Sequence, residues 1–171
     1  MANLIVEDGT IVPNANTYLT PKILVNYCND RNLDIPDDED KLTTIIINAM
    51  DYLEQFRGSF KGTEIAPMVQ SLSFPRKNLF VYNNIRLRED KIPDILIKAL
   101  CVLCVDVYRL NGNLQINVTD YAVKQEVIGP LSTTYAITGK VLPLQPVLTK
   151  FMNTIAPLVN FNSGINARTY R

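Results

Sequence analysis

The sequence predicts a mainly α fold: a small bundle of about four helices with an extended N-terminal arm, a β-hairpin or loop insertion, and a strand pair before the last helix. Three observations predict it. Residues 92–110, IPDILIKALCVLCVDVYRL, form an apolar run that reads as a helix hydrophobic on almost every side, so other helices or other subunits must wrap it. Residues 38–56 place Leu42, Ile45, Ile46, Ala49, Leu53 and Phe56 at spacings of three and four, the pattern of one apolar helical face. The length, 171 residues, makes one domain able to bury about 70% of the surface its unfolded chain exposes.

In chain order, residues 1–19 form an extended arm whose Asp8-Gly9 and Pro13-Asn14 are turn signals between short β-prone runs. The helical core spans residues 20–111. Its first helix starts with Thr20 as N-cap and Pro21 at the first position, and puts Ile23, Leu24, Tyr27 and Cys28 on one face. The acidic stretch LDIPDDEDK caps the second helix through Asp37 or Asp38, with Glu39 and Asp40 favouring the positive end of the helix dipole. It lacks the glycine and closing glutamate of a calcium loop. Residues 63–91 are a loop and hairpin, with the tip at Asn83-Asn84. After the central helix, residues 112–143 read as two strands broken at Gly129-Pro130. A C-terminal helix over 144–159 carries Val147, Leu148, Phe151, Met152 and Ile155 on one face, and 160–171 is a tail without periodicity.

Composition removes many functions. There is no histidine, so Ser-His, Cys-His and His-metal chemistry are excluded. Cys101 and Cys104 lie inside the buried helix and Cys28 on the first, which suits small core residues in a reducing compartment better than a redox or metal pair. The glycines of RGSFKGT do not precede a Gly-Lys-Thr opening a helix, so they mark an exit turn and not a phosphate loop. Asp94, Lys98, Asp106 and Arg109 interrupt the central apolar run, far short of the roughly 20 apolar residues a bilayer needs, and nothing at the start suggests export. The 17 bases and 17 acids cancel, which argues against nucleic acid as the dominant partner. Their distribution is uneven: residues 127–171 hold Lys140, Lys150, Arg168 and Arg171 and no acid. No convergent set of polar groups suggests an enzyme, and no cofactor or metal is expected.

Six stretches in a fixed order carry a family resemblance: VEDGTIVPNANTYL, DYLEQFRGSFKG, QSLSFPRKNL, IPDILIKAL, VKQEVIGPLSTTYA and an apolar C-terminal helix. They resemble a family of tailed-bacteriophage proteins encoded among head genes. That family is often labelled DnaT-like and single-stranded-DNA-binding, and it is similar to head-tail connectors, also called adaptors or head-completion proteins. Phe74 stands where many relatives have tryptophan, and the tail after Val159 has no counterpart in the pattern.

The resemblance implies a structural virion protein, assembled in the bacterial cytoplasm and resident in the neck. It would form a homo-oligomeric ring, dodecameric like the portal, that completes the head and extends the channel through which packaged DNA passes. Its partners would be the portal and the next tail component. On that reading Phe151, Arg168, Tyr170 and Arg171 are candidates for docking on the portal, since aromatic and arginine anchors dominate interfaces. Arg76, Lys77, Arg86 and Arg88 are candidates for the axial or channel surface. Val123 and Val127, with Gly129 and Pro130 as a bend, are candidates for the subunit interface. The alternative is a single-stranded-DNA-binding replication protein, with Phe74, Phe80, Tyr82 and nearby cations as part of a stacking groove. Zero net charge and the absence of tryptophan weigh against it.

Overall fold

A computed structural model describes residues 3–82, 84–112, 114, 125–128, 131–134 and 148–160. Among these residues there are four α-helices and three two-stranded antiparallel ladders, two of the ladders between the second and third helices and one between the third and fourth. Helix α1 spans Pro21–Asn29, α2 Glu39–Glu54, α3 Asp94–Arg109 and α4 Thr149–Ile155. Strands β1 (Thr63–Glu64) and β2 (Arg76–Lys77) pair, as do β3 (Phe80–Val81) with β4 (Ile85–Arg86) and β5 (Gln125–Ile128) with β6 (Leu131–Thr134). The expectation of a mainly helical bundle is therefore corrected: this is a small mixed α/β fold. Two-residue strands have no alternation to read, so β1 to β4 look like loop in the sequence and acquire their ladder bonds only from tertiary pairing.

Capping chemistry sets the helix starts. The Thr20 hydroxyl accepts from the Ile23 N–H with Pro21 at the first position, and the Asp38 carboxylate accepts from the Asp40 and Lys41 N–H groups. On α1, Leu24 and Cys28 are buried, but Ile23 is turned to solvent and leaves the predicted face.

Helix α3 is the hub. Every residue from Ala99 to Val107 is buried, and α1, α2 and α4 of the same chain supply the cover. Buried apolar area at about 25 cal/mol per Å² makes this helix the largest local source of stability. Phe151 of α4 closes the core at one end, in edge contact with Tyr52 at 6.0 Å and Phe56 at 5.9 Å between ring centroids. The chain after α4 is tied back to the exit of α2. The Lys61 N–H donates to Leu158 O (2.9 Å), the Asn160 N–H to Ser59 O (2.7 Å), and the Lys61 ammonium to Pro157 O (2.9 Å).

The N-terminal arm is packed, with Ala15, Tyr18 and Leu19 buried. The buried carboxylate of Glu7 organises it. One oxygen accepts from the N–H groups of Gly9 (2.8 Å) and Ile11 (3.0 Å), the other from Val12 (2.8 Å). Those bonds hold Ile11, a β-branched residue, at φ 63°. Gly9 sits at φ +111° against the backbone of Asp90, where any Cβ would lie 2.5 Å from a carbonyl oxygen. The arm is thereby keyed to the segment that leads into α3.

Candidate nucleic-acid interface

The loop between α2 and α3 stands on a buried polar network that joins three of the motifs. The Tyr18 hydroxyl accepts from the Phe74 N–H (2.9 Å) and donates to Glu54 (3.2 Å). Glu54 also accepts from the Ser73 N–H (3.1 Å) and hydroxyl (2.6 Å). Burial, reinforced by the neighbouring Glu54 charge, pushes the Tyr18 phenol well above its ordinary pKa. Phe74 is fully buried, edge-on to Tyr18 and to Phe60. It is a core residue, outside any stacking surface.

Arg76 is likewise internal. It is 8% exposed, and its guanidinium donates to the carbonyl oxygens of Phe60, Lys61, Gly62 and Ser73. It also lies 3.6 Å from Glu64, which pairs in bidentate fashion with Arg57. Arg76 therefore ties loop to loop and is not on the channel-facing surface expected of it.

The remaining cations of the region are on the surface, and most have acid partners. Arg86 pairs with Glu89, Arg88 with Asp90 and Lys91 with Asp94. These exposed pairs hold the Glu89 and Asp90 carboxyls below their usual range through hydrogen bonds from the arginines, and they blunt the positive field of the hairpin. The β3–β4 hairpin ends at Arg86 and precedes the other two pairs, with Asn84 in its loop at φ 69°. Phe80, Tyr82 and Ile85 are exposed there, Tyr82 at 61% and with φ 33°.

Beside this tip runs a groove of about 570 Å³ between α3 and α4. Tyr82 lines it from the hairpin. Ile95 and Lys98, three residues apart on α3, and Lys150, Asn153 and Thr154, on one face of α4, also line it. Neither lysine belongs to an ion pair among the described residues. Sequence reasoning missed both, because Lys98 registers only as an interruption of an apolar run and Lys150 only as part of a basic quarter. A cation on the outer side of an otherwise buried helix was the available signal.

Residues 2–171 match a family model described as "Putative DnaT-like ssDNA binding protein". The chain belongs to that DnaT-like family. No curated protein and no solved structure matches it.

The other candidates fall as follows. Phe151, expected on the portal-docking surface, is fully buried in the DnaT-like core. Arg168, Tyr170 and Arg171 lie outside the described residues, as do Val123, Gly129 and Pro130; Val127 pairs with Ser132 in the β5–β6 ladder. Lys77 is exposed on β2. The three cysteines are free and buried, and burial raises all three thiols, that of Cys101 up to about 12, which disfavours the thiolate. Among the described residues no cluster could hold a metal, and no helix is long and apolar enough to cross a membrane.

Proposed function

We propose that the protein binds single-stranded DNA through the hairpin face. The observation that carries this reading is the exposure of Phe80 and Tyr82 beside Lys77, Arg86 and Arg88, while Phe60, Phe74 and Phe151 are all buried. Exposed rings offer bases a stacking surface, and the cations attract the backbone. The family description supports the same reading. Zero net charge and the paired arginines imply modest affinity with a shallow dependence on salt.

A second reading, the ring adaptor between portal and tail, has its own support. Met68 and Val69 are 94% and 70% exposed on a turn that is held rigid from beneath. The buried Gln70 side chain donates to Leu72 O and Pro75 O, while its N–H and that of Val69 bond to Ala66 O. A rigid apolar pair in solvent suits a protein contact better than a phosphate backbone. In this reading the chain is a subunit of a dodecameric virion neck ring, Arg168, Tyr170 and Arg171 meet the portal, and Arg86 and Arg88 face the channel.

Light scattering behind a sizing column, with and without the cognate portal, separates the two when a labelled oligonucleotide is run in parallel. An oligonucleotide shift that salt weakens, without co-elution with portal, is the result expected of the DNA-binding reading. Co-elution with portal near one subunit each, with no oligonucleotide shift, would replace it with the adaptor.

A further inference from the structure

We infer that the groove between Tyr82, Lys98 and Lys150 is a single-nucleotide clamp that takes one unstacked base and its flanking phosphates from a single-stranded polynucleotide. This inference rests on the DNA-binding reading and assigns it to particular atoms. A nucleotide needs a flat apolar surface for the base, cations for the phosphates and hydrogen-bonding groups between them. The groove supplies these in that order. Tyr82 lines it from the hairpin, the two lysines come from α3 and α4, and Asn153 and Thr154 follow one turn beyond Lys150.

The charges here differ in kind from the arginines of the hairpin. Arg86, Arg88 and Lys91 already spend their donors on Glu89, Asp90 and Asp94, whereas Lys98 and Lys150 have no ion pair among the described residues and are both exposed. A cation already paired within the protein must give up its acid before it can displace a counterion from a phosphate, so the salt dependence should count these two lysines, with exposed Lys77, ahead of the arginines. Duplex DNA keeps its bases stacked and cannot offer one to Tyr82, so the clamp selects single strands. Nothing in the groove demands or excludes a 2′-hydroxyl, so the ligand chemistry is shared by DNA and RNA.

Fluorescence anisotropy of the full chain with a labelled oligothymidylate, an oligouridylate of equal length and a hairpin duplex, over a range of salt, tests the clamp. Two phosphate contacts on a single strand give a slope of log K against log salt of about −1.4. In Lys98→Gln/Lys150→Gln the slope should become shallower by about 1.4, leaving what exposed Lys77 beside the hairpin contributes. Tyr82→Ala should weaken binding roughly 5- to 150-fold with the slope unchanged, the loss of one base stack, while Tyr82→Phe should retain affinity. Equal binding of the two single strands supports the shared chemistry, and a preference for the duplex overturns the clamp. Wild-type binding that survives both the double lysine variant and Tyr82→Ala removes the clamp and leaves DNA binding by the hairpin standing. No binding by the wild type to any strand ends both. All three positions are exposed, so unchanged melting temperatures will separate loss of binding from loss of fold.

Discussion

Replacing Tyr18 with phenylalanine isolates the buried network beneath the loop, because it removes one oxygen and keeps the ring against Phe74. Two bonds are lost. The Phe74 N–H loses its acceptor inside the core, and an unsatisfied buried donor costs about 1–3 kcal/mol. The bond to the Glu54 carboxylate, at 3.2 Å, is at the long end of the range and contributes roughly 1 kcal/mol. Glu54 keeps its bonds from Ser73, so its own desolvation stays compensated. The expected loss is therefore about 2–4 kcal/mol, or roughly 4–16 °C in melting temperature for a chain of this size. Urea denaturation followed by far-UV circular dichroism will read it as a shifted midpoint at unchanged slope. A parallel Ser73→Ala variant and the double variant should couple by about 0.5–3 kcal/mol, since both side chains end on Glu54. A loss below about 0.5 kcal/mol in Tyr18→Phe, or strict additivity in the cycle, would refute the view that this network holds arm, helix and loop together.

Three further outcomes follow from the same packing. Burial raises the Cys101 thiol from 9.0 to about 12 and raises Cys28, Cys104 and Tyr18 in the same direction, so the unfolded chain ionises first as pH rises. The stability is intact at neutral pH and is lost between about pH 9 and 12, by about 4 kcal/mol for Cys101 alone; Cys101→Val should flatten that slope in urea titrations. Asp106 is buried with one oxygen unpartnered among the described residues, and burial raises its pKa despite Arg109 and Lys150. Asp106→Asn should therefore raise the denaturation midpoint at pH 7, with an advantage that vanishes below the ordinary carboxyl pKa of 3.8, where wild type is also protonated. The two glycines of RGSFKG should respond oppositely to alanine: Gly62→Ala, at φ +72° with a Cβ 2.5 Å from Lys77 O, should cost at least about 1 kcal/mol, and Gly58→Ala, with open space, almost nothing in thermal melts.

Local chemistry was legible in the sequence and long-range bookkeeping was not. The Thr20 and Asp38 caps, the α2 stripe, the all-round burial of α3 and the turn near Asn84 follow from spacings of a few residues, and each has its counterpart in the fold. The ladders of β1 to β4 do not, because a two-residue strand has no period. The role of Arg76 was hidden because it stands in a run of cations. Only its donation to four carbonyl oxygens of residues up to 16 positions away distinguishes it from its solvated neighbours. The partners of Glu54 lie 19 and 36 residues distant, so no window could pair them. The groove suffers most from this, since Tyr82, Lys98 and Lys150 meet only when α4 docks beside α3.

The docking of α4 also has a bearing on how the chain reaches its native state. Leu148, Phe151, Ile155, Leu158 and Val159 complete a core whose other members lie between Ala15 and Val107, and the bond from Lys61 to Pro157 spans 96 positions. A nascent chain that ends before α4 must hold one flank of α3 uncovered while the ribosome makes the segment that seals it. Contacts of such sequence separation form late and slow folding, and an apolar flank bared in the meantime invites association with other chains. The last helix is thus a lid on a half-built core, and the interval before it arrives is when this protein has most need of a chaperone.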